Sequence, residues 1–227
     1  MCGICGKLTF RKDETVDPSL VRSMMATIGH RGPDDEGLYA SANVALGHRR
    51  LSIIDLNTGK QPLCNETGTV WIVFNGEIYN YRELRAGLIS RGHQFRTETD
   101  TEVIVHLYEE LGPGLLGQLR GMFAFALWDE TSQTLLLARD RVGIKPLYYC
   151  LQDEALTFGS EIKAILADPS VPRGVRPEIV DRFLTFLYLP GPDTTFANIY
   201  KLSPGHYLLA RNGQVKVEQY WDLKFAE

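Results

Sequence analysis

The strongest constraint on this chain is that its apolar runs come in neighbouring pairs joined by short polar turns. "MFAFALWD" and "TLLLARD" flank a turn at 129–133, and "PLYYCL" and "ALTFGS" pair in the same way. "HYLLARNGQVKVEQYW" carries Asn212-Gly213 at its centre, the dipeptide that suits a two-residue hairpin turn. "VWIVF" (70–74) is a short buried strand, and Leu8-Thr9-Phe10 reads as another. Between these sets lie helical periods. Asp17 and Pro18 start one whose apolar face is Val21, Met24, Met25 and Ile28. A second runs over about 81–91 and is stopped by Gly92. A third, in "DTEVIVHLYEELG", shows Ile104, Leu107, Tyr108 and Leu111 on one face. A short helix covers 161–167, and a longer one covers 177–189, where "YLPGPDT" breaks it. Hairpins with helices between them, rather than alternating βαβ units, predict an antiparallel α+β fold.

Composition enters as a set of exclusions. Hydrophobic residues make up 44% of the 227, enough for a sizeable core and too many for a disordered chain. The net charge of −4, with Lys and Arg scattered, predicts neither a nucleic-acid partner nor an anionic-membrane one. No apolar run approaches the roughly 20 residues needed to cross a bilayer, and the start of the chain does not read as a signal peptide. A cytoplasmic location is the expectation. The cysteines at 2, 5, 64 and 150 are too few and too irregular for a disulfide framework.

Cys2 admits three readings: a small buried apolar residue, half of a metal or redox pair with Cys5, or a nucleophile that becomes the N-terminus once Met1 is removed. A structural zinc site wants a second ligand pair, and neither the other cysteines nor His30, His48, His93, His106 and His206 show paired spacing. No metal is therefore expected. A redox C-x-x-C opens a helix, whereas these glycine-flanked cysteines run into a strand.

Several stretches are more polar than plain core strands. "GHRGPDDEG" packs charges around a Gly-Pro, and "GHRRLSIIDL" places two arginines before an apolar run. "FNGEIYNYREL" puts Asn75-Gly76-Glu77 at the end of a buried strand, and "TETDTEV" sets Asp100 just before a helix. Each also has a plain structural explanation: Asn-Gly as a turn, Asp100 as a helix cap, an arginine pair as a solvated edge.

Taken together and in order, "MCGICG", "RGPDDEG", "RRLSIIDL", "FNGEIYNYREL", "TDTEV", "GMFAFALWD" and "LLARDRVGIKPLYY" resemble the glutaminase half of class II glutamine amidotransferases. Arg31–Asp34 and "RVGIKPLYY" favour the glutamine-hydrolysing asparagine synthetase branch. The resemblance spans nearly the whole chain. It implies the N-terminal-nucleophile four-layer αββα sandwich, with two mainly antiparallel sheets.

The resemblance also implies a chemistry. Met1 would be removed, leaving the Cys2 thiol as nucleophile and its own α-amine as base. A free α-amine has a pKa of about 7.7–8.0, suited to proton transfer near neutrality. Asn75, through its amide, and Gly76, through its backbone N–H, would form the oxyanion hole. Arg50, rather than Arg49, would hold the α-carboxylate of L-glutamine. Asp100, helped by Glu77, would hold the α-ammonium, and the backbone of Leu51, Ile53 and Ile54 would line the pocket. Gly76 is expected to be glycine so that the backbone can approach the substrate. Arg31 and Asp34 are expected to order a loop.

The glutaminase step should need no cofactor. In the family, a following synthetase domain uses ATP and Mg2+ and receives the ammonia on an activated carboxylate, aspartate by default. Neither a Ser-Gly-Gly-x-Asp-Ser loop nor a Walker-type loop occurs here. The expected organisation is a glutaminase domain over 2–172. Residues 173–227 would complete it and lead to a synthetase domain absent from the chain. A homodimer is compatible with the resemblance. Two other classes compete: a non-catalytic glutamine-sensing module, and an amidase for a different acyl group. Retention of Cys2, Asn75, Gly76 and Asp100 argues against the first, and the pairing of Arg50 with Asp100 against the second.

Overall fold

The computed structural model describes residues 1–11, 13–52 and 59–225. Two six-stranded antiparallel sheets stack face to face. The first has the order β10-β8-β9-β1-β3-β2, built on β1 (Gly3–Thr9), β2 (Asp35–Ala40), β3 (Val44–Arg50), β8 (Tyr148–Gln152), β9 (Ala155–Gly159) and β10 (Ile199–Lys201). The second has the order β12-β11-β7-β6-β5-β4. Its strands are β4 (Leu63–Cys64), β5 (Val70–Ile78), β6 (Gly121–Asp129), β7 (Thr134–Arg139), β11 (His206–Arg211) and β12 (Gln214–Gln219). Residues beyond 173 supply β10 to one sheet and β11 and β12 to the other.

The two-residue alternation of a strand fixes the layers. Along β1, Ile4 and Leu8 enter the core between the sheets, whereas Cys5 faces the other way, against α1 (Pro18–Thr27) and α4 (Ile162–Leu166). Along β6, Ala124, Ala126 and Trp128 face the first sheet, and Phe123, Phe125 and Leu127 face outward. That outward face is covered by α2 (Tyr81–Ser90) and α3 (Glu102–Leu111), through Leu88, Val103, Ile104 and Leu107. The result is helix, sheet, sheet, helix. No helix among the described residues is long and apolar enough to cross a membrane.

Local signals set most of the elements. Asp17 accepts the Ser19 N–H at 2.8 Å and caps α1, whose Val21, Met24 and Met25 are buried. Asn212 and Gly213 separate β11 from β12. One expectation fails. In α3 Leu111 is exposed, while Val103 and His106 are buried instead. The helix is tilted so that its first two turns, not its last, lie on the sheet. The segments 35–40 and 44–50, given no element from the sequence, are the strands β2 and β3; β3 pairs on both sides and is held by its neighbours rather than by its own composition. α5 (Glu178–Phe186) stands apart, with Val180, Phe183, Leu184 and Phe186 all exposed.

Candidate active site

The pocket sits where the inter-sheet core opens at the ends of β1, β3 and β5. On β3, Val44 and Leu46 face the core, and two steps beyond His48 the same face carries Arg50. On β5, Val73 faces the core and Asn75 follows it. On β1 the core face is Ile4, and Cys2 precedes it by two. The strand period thus aims three polar side chains into one mouth. Cys2, Arg50, Leu51, Asn75, Gly76, Glu77 and Asp100 all line it, with Met1, Gln61, Thr99, Thr101, Met122 and Lys145. Ile53 and Ile54 lie outside the described residues.

The Cys2 sulfur is held by the backbone of Leu51: the Leu51 N–H approaches Sγ at 3.4 Å, and Sγ lies 3.7 Å from the Leu51 carbonyl. The Cys2 carbonyl accepts from Arg31 Nε at 2.9 Å, and Arg31 Nη1 is braced by Glu161 at 3.0 Å. Asp34 accepts the Ser52 N–H at 2.8 Å, and its own N–H donates to the Arg50 carbonyl at 3.1 Å. Gly32 is pressed on the same strand end; a Cβ there would lie 2.3 Å from the Arg49 carbonyl carbon. The Arg31–Asp34 stretch therefore clamps the Cys2 and Arg50 backbones.

Arg49 and Arg50 separate as strand alternation requires. Arg49 points away, donating to the Gly32 carbonyl at 3.1 Å and pairing with Glu36. Arg50 is 5% exposed and faces the pocket. Asn75 is 1% exposed, and its Nδ2 is buried with no hydrogen-bond partner among the described residues. A buried unmade donor is costly, and this one belongs to a residue that lines the pocket.

Gly76 is also constrained from within the sheet: a Cβ there would fall 2.2 Å from the Met122 carbonyl oxygen of β6, so the neighbouring strand excludes a side chain.

Asp100 is 5% exposed and accepts the Ile78 N–H at 2.8 Å. α3 begins after Thr101, and Thr101 makes no side-chain cap. Burial raises the Asp100 carboxyl to about 6, opposed by the Ile78 N–H and helped by the charge of Glu77. Glu77 itself is exposed at the rim. Two residues not expected from sequence join the site. Lys145 is buried, and its ammonium meets the Met1 thioether at 3.5 Å. Gln61 accepts the Phe74 N–H at 2.6 Å and donates to Thr101 at 3.3 Å, bridging β5 to the start of α3. Lys145 lies in the "RVGIKPLYY" run without having been assigned a role from it, and Gln61 carries no local sequence signal, since its role depends on the distant segments it touches.

The C-x-x-C spacing forms no ligand pair. Cys5 is fully buried on the opposite face of β1, and burial pushes its thiol far above the usual range.

A model of the glutamine amidotransferase domain matches residues 1–221. Asparagine synthetase 3 of Bacillus subtilis is 39% identical over 232 residues, covering 99% of this chain and 37% of its own length. An amidase of Gibberella zeae is 43% identical over 205 residues, covering 88% of this chain and 30% of its own. The chain spans about a third of the length of these relatives. Among solved structures, the glutamine phosphoribosylpyrophosphate amidotransferase of Bacillus subtilis, complexed with ADP and GMP, superposes with a TM-score of 0.69 at 20% identity. The superposition covers 97% of this chain and 49% of that one. That likeness is one of fold, the four-layer sandwich of N-terminal-nucleophile hydrolases. With a cysteine at the mouth of two stacked sheets and a family match from end to end of that sandwich, the chain belongs to the glutamine amidotransferase domain family.

Proposed function

We propose that the chain hydrolyses the side-chain amide of L-glutamine, with Cys2 as nucleophile after Met1 is removed. The carrying observation is the convergence of the Cys2 thiol, the unpartnered Asn75 amide, Arg50 and Asp100 on one pocket. Arg50 suits the α-carboxylate and Asp100 the α-ammonium, so both ends of a free amino acid are read. The freed α-amine takes the thiol proton, and sulfur attacks the amide carbon. The Asn75 amide and the Gly76 N–H receive the oxyanion. The amine returns the proton to the departing nitrogen, and the C–N bond breaks. Ammonia leaves a glutamyl thioester. The amine then deprotonates a water that attacks the thioester; the C–S bond breaks, releasing glutamate and the thiol. None of these steps calls on a cofactor.

In the parent protein the ammonia would pass to a carboxylate activated by ATP and Mg2+ in a synthetase domain, with aspartate as the default acceptor. Two observations support a partner domain. The chain is about a third of its relatives' length, and α5 exposes Val180, Phe183, Leu184 and Phe186, a patch of the kind that docks on protein.

The test couples processing to activity. Intact mass and steady-state glutamate release would be measured on protein with Met1 removed and on a variant that blocks removal. Activity is expected only in the first, and Cys2→Ala is expected to abolish it. Equal glutamate release with Met1 fully retained overturns the N-terminal base.

A further inference from the structure

On the face of the second sheet covered by α2 and α3, four ligand atoms converge from three segments far apart in sequence. Glu66 comes from the β4–β5 turn, His93 from the loop after α2, and His106 and Glu109 from α3. One donor atom of each lies within 4.8 Å of all the others. His106 Nδ1 is 3.1 Å from Glu109 Oε2 and 3.4 Å from Glu66 Oε2. His93 Nδ1 is 3.6 Å from Glu66 Oε1 and 3.7 Å from Glu109 Oε2. Bonds of about 2.0–2.1 Å to a tetrahedral ion put neighbouring ligands about 3.3–3.4 Å apart. The four imidazole–carboxylate spacings bracket that value, and the wider pairs, up to 4.8 Å, close on the ion.

The outer atoms point the same way. His93 Nε2 is 3.1 Å from Glu110. His106 Nε2 is buried with no hydrogen-bond partner among the described residues, 3.8 Å from Glu102 Oε1. Each imidazole thus has a carboxylate behind it at Nε2 and two in front at Nδ1. A neutral ring carries one proton. If Nε2 holds it, the Nδ1 lone pair faces carboxylate oxygens with nothing between them, an arrangement of acceptors that a cation resolves. A carboxylate behind a histidine that binds through its other nitrogen is the usual support of a metal ligand. The remaining contacts orient the carboxylates: Asn65 Nδ2 donates to Glu109 Oε1 at 2.7 Å, and the Gln94 N–H donates to Glu66 Oε1 at 3.0 Å. Phe95 packs edge-on against the His106 ring, with centroids 4.6 Å apart.

We propose that Glu66, His93, His106 and Glu109 form a structural site for one Zn2+ ion, remote from the glutamine pocket. Two neutral imidazoles and two carboxylates balance the charge of a dication. The mixed nitrogen and oxygen set suits Zn2+ rather than Mg2+ or Ca2+, which take oxygen ligands. All four positions are filled by protein, the pattern of a structural rather than a catalytic ion. The ion ties α3 and the loop before it to the β4–β5 turn.

The alternative is an ion-pair cluster held by protonated imidazoles. The purified chain, stripped with a chelator and dialysed at pH 7.5, would be titrated with Zn2+ against a competing indicator, with melting temperature followed in parallel. One Zn2+ per chain is expected, raising Tm by about 5–10 °C at roughly 100 times the dissociation constant. Co2+ should give the intense visible bands of a four-coordinate ion. His93→Gln and Glu109→Gln, both at partly exposed positions, should each weaken Zn2+ by more than about 100-fold while circular dichroism stays unchanged. Cys2→Ala should bind as the parent does. Absence of stoichiometric Zn2+, unchanged affinity in both His93→Gln and Glu109→Gln, or loss of the ion in Cys2→Ala would each overturn the assignment.

Discussion

His48 Nε2 lies 3.1 Å from the carbonyl of Phe74, a hydrogen bond that crosses from the first sheet to the second. The carbonyl can only accept, so Nε2 carries the proton. The bond joins the strand that bears Arg50 to the residue before Asn75, so the two halves of the pocket are pinned to each other through a ring with no exposed surface.

That ring should make stability pH-dependent. Burial, with the charge of Arg50 adding to it, lowers His48 from 6.5 to about 4, against the Phe74 carbonyl. Between those values the unfolded chain binds the proton and the folded chain does not. The contribution is therefore complete above about pH 6.5 and is lost as pH falls through about 4. Its full size is about 3 kcal/mol. Denaturant unfolding from pH 7 to 4 should show the stability gap between the parent and His48→Gln narrowing by about that amount. A gap that stays constant over this range removes His48 from the acid response.

Asp100 has the opposite sign. Its carboxyl is raised to about 6, so the neutral form favours the folded chain at low pH, and that advantage is lost as pH rises through 6. Holding an ammonium needs the charged form. Glutamine affinity, measured calorimetrically on Cys2→Ala to silence turnover, should fall about tenfold per pH unit below 6. In Asp100→Asn it should be weak and flat with pH. A flat profile in Cys2→Ala itself would remove Asp100 from ammonium binding.

Asn75 and Arg50 should separate chemistry from binding. The Asn75 amide waits for charge that exists only at the transition state, so Asn75→Ala should lower kcat by about 10²–10³-fold with little change in KM. Arg50 grips a group that does not react. Losing a charged hydrogen bond costs about 1.5–3 kcal/mol, so Arg50→Ala should raise KM by about 10–150-fold. Steady-state glutamate release decides both, and unchanged kcat in Asn75→Ala would remove it from the oxyanion hole.

Arg31 should act through Cys2. Its guanidinium bridges the Cys2 carbonyl and Glu161. Arg31→Lys keeps the charge but loses the planar fork. It should lower kcat by about 10²-fold, as expected when a nucleophile is misplaced by about an ångström. Glutamine affinity in the Cys2→Ala background should be unchanged. A matching loss of affinity would instead assign Arg31 to substrate binding.

The sequence by itself determined the elements governed by contacts between near neighbours. Asp17 and Pro18 start α1, Asn212-Gly213 turns β11 into β12, and two-residue alternation separates Cys5 from Ile4 and Leu8. The motif order pointed to the pocket residues, and the resemblance chose Arg50 over Arg49. Tertiary structure decided what depends on residues that meet only after folding. β3 is a strand because β1 and β2 flank it. Gly76 is fixed by the Met122 carbonyl across the ladder, and Asp100 is raised by burial that no local pattern encodes. Gln61 entered the site without a signal, and Lys145 from a quoted motif that had given it no role. Glu66, His93, His106 and Glu109 have no recognisable ligand spacing along the chain, yet packing of α3 against the β4–β5 turn brings their donor atoms within 4.8 Å. Period and turn chemistry act over a few residues, whereas burial, charge and ligand geometry are set by whichever segments the core brings into contact.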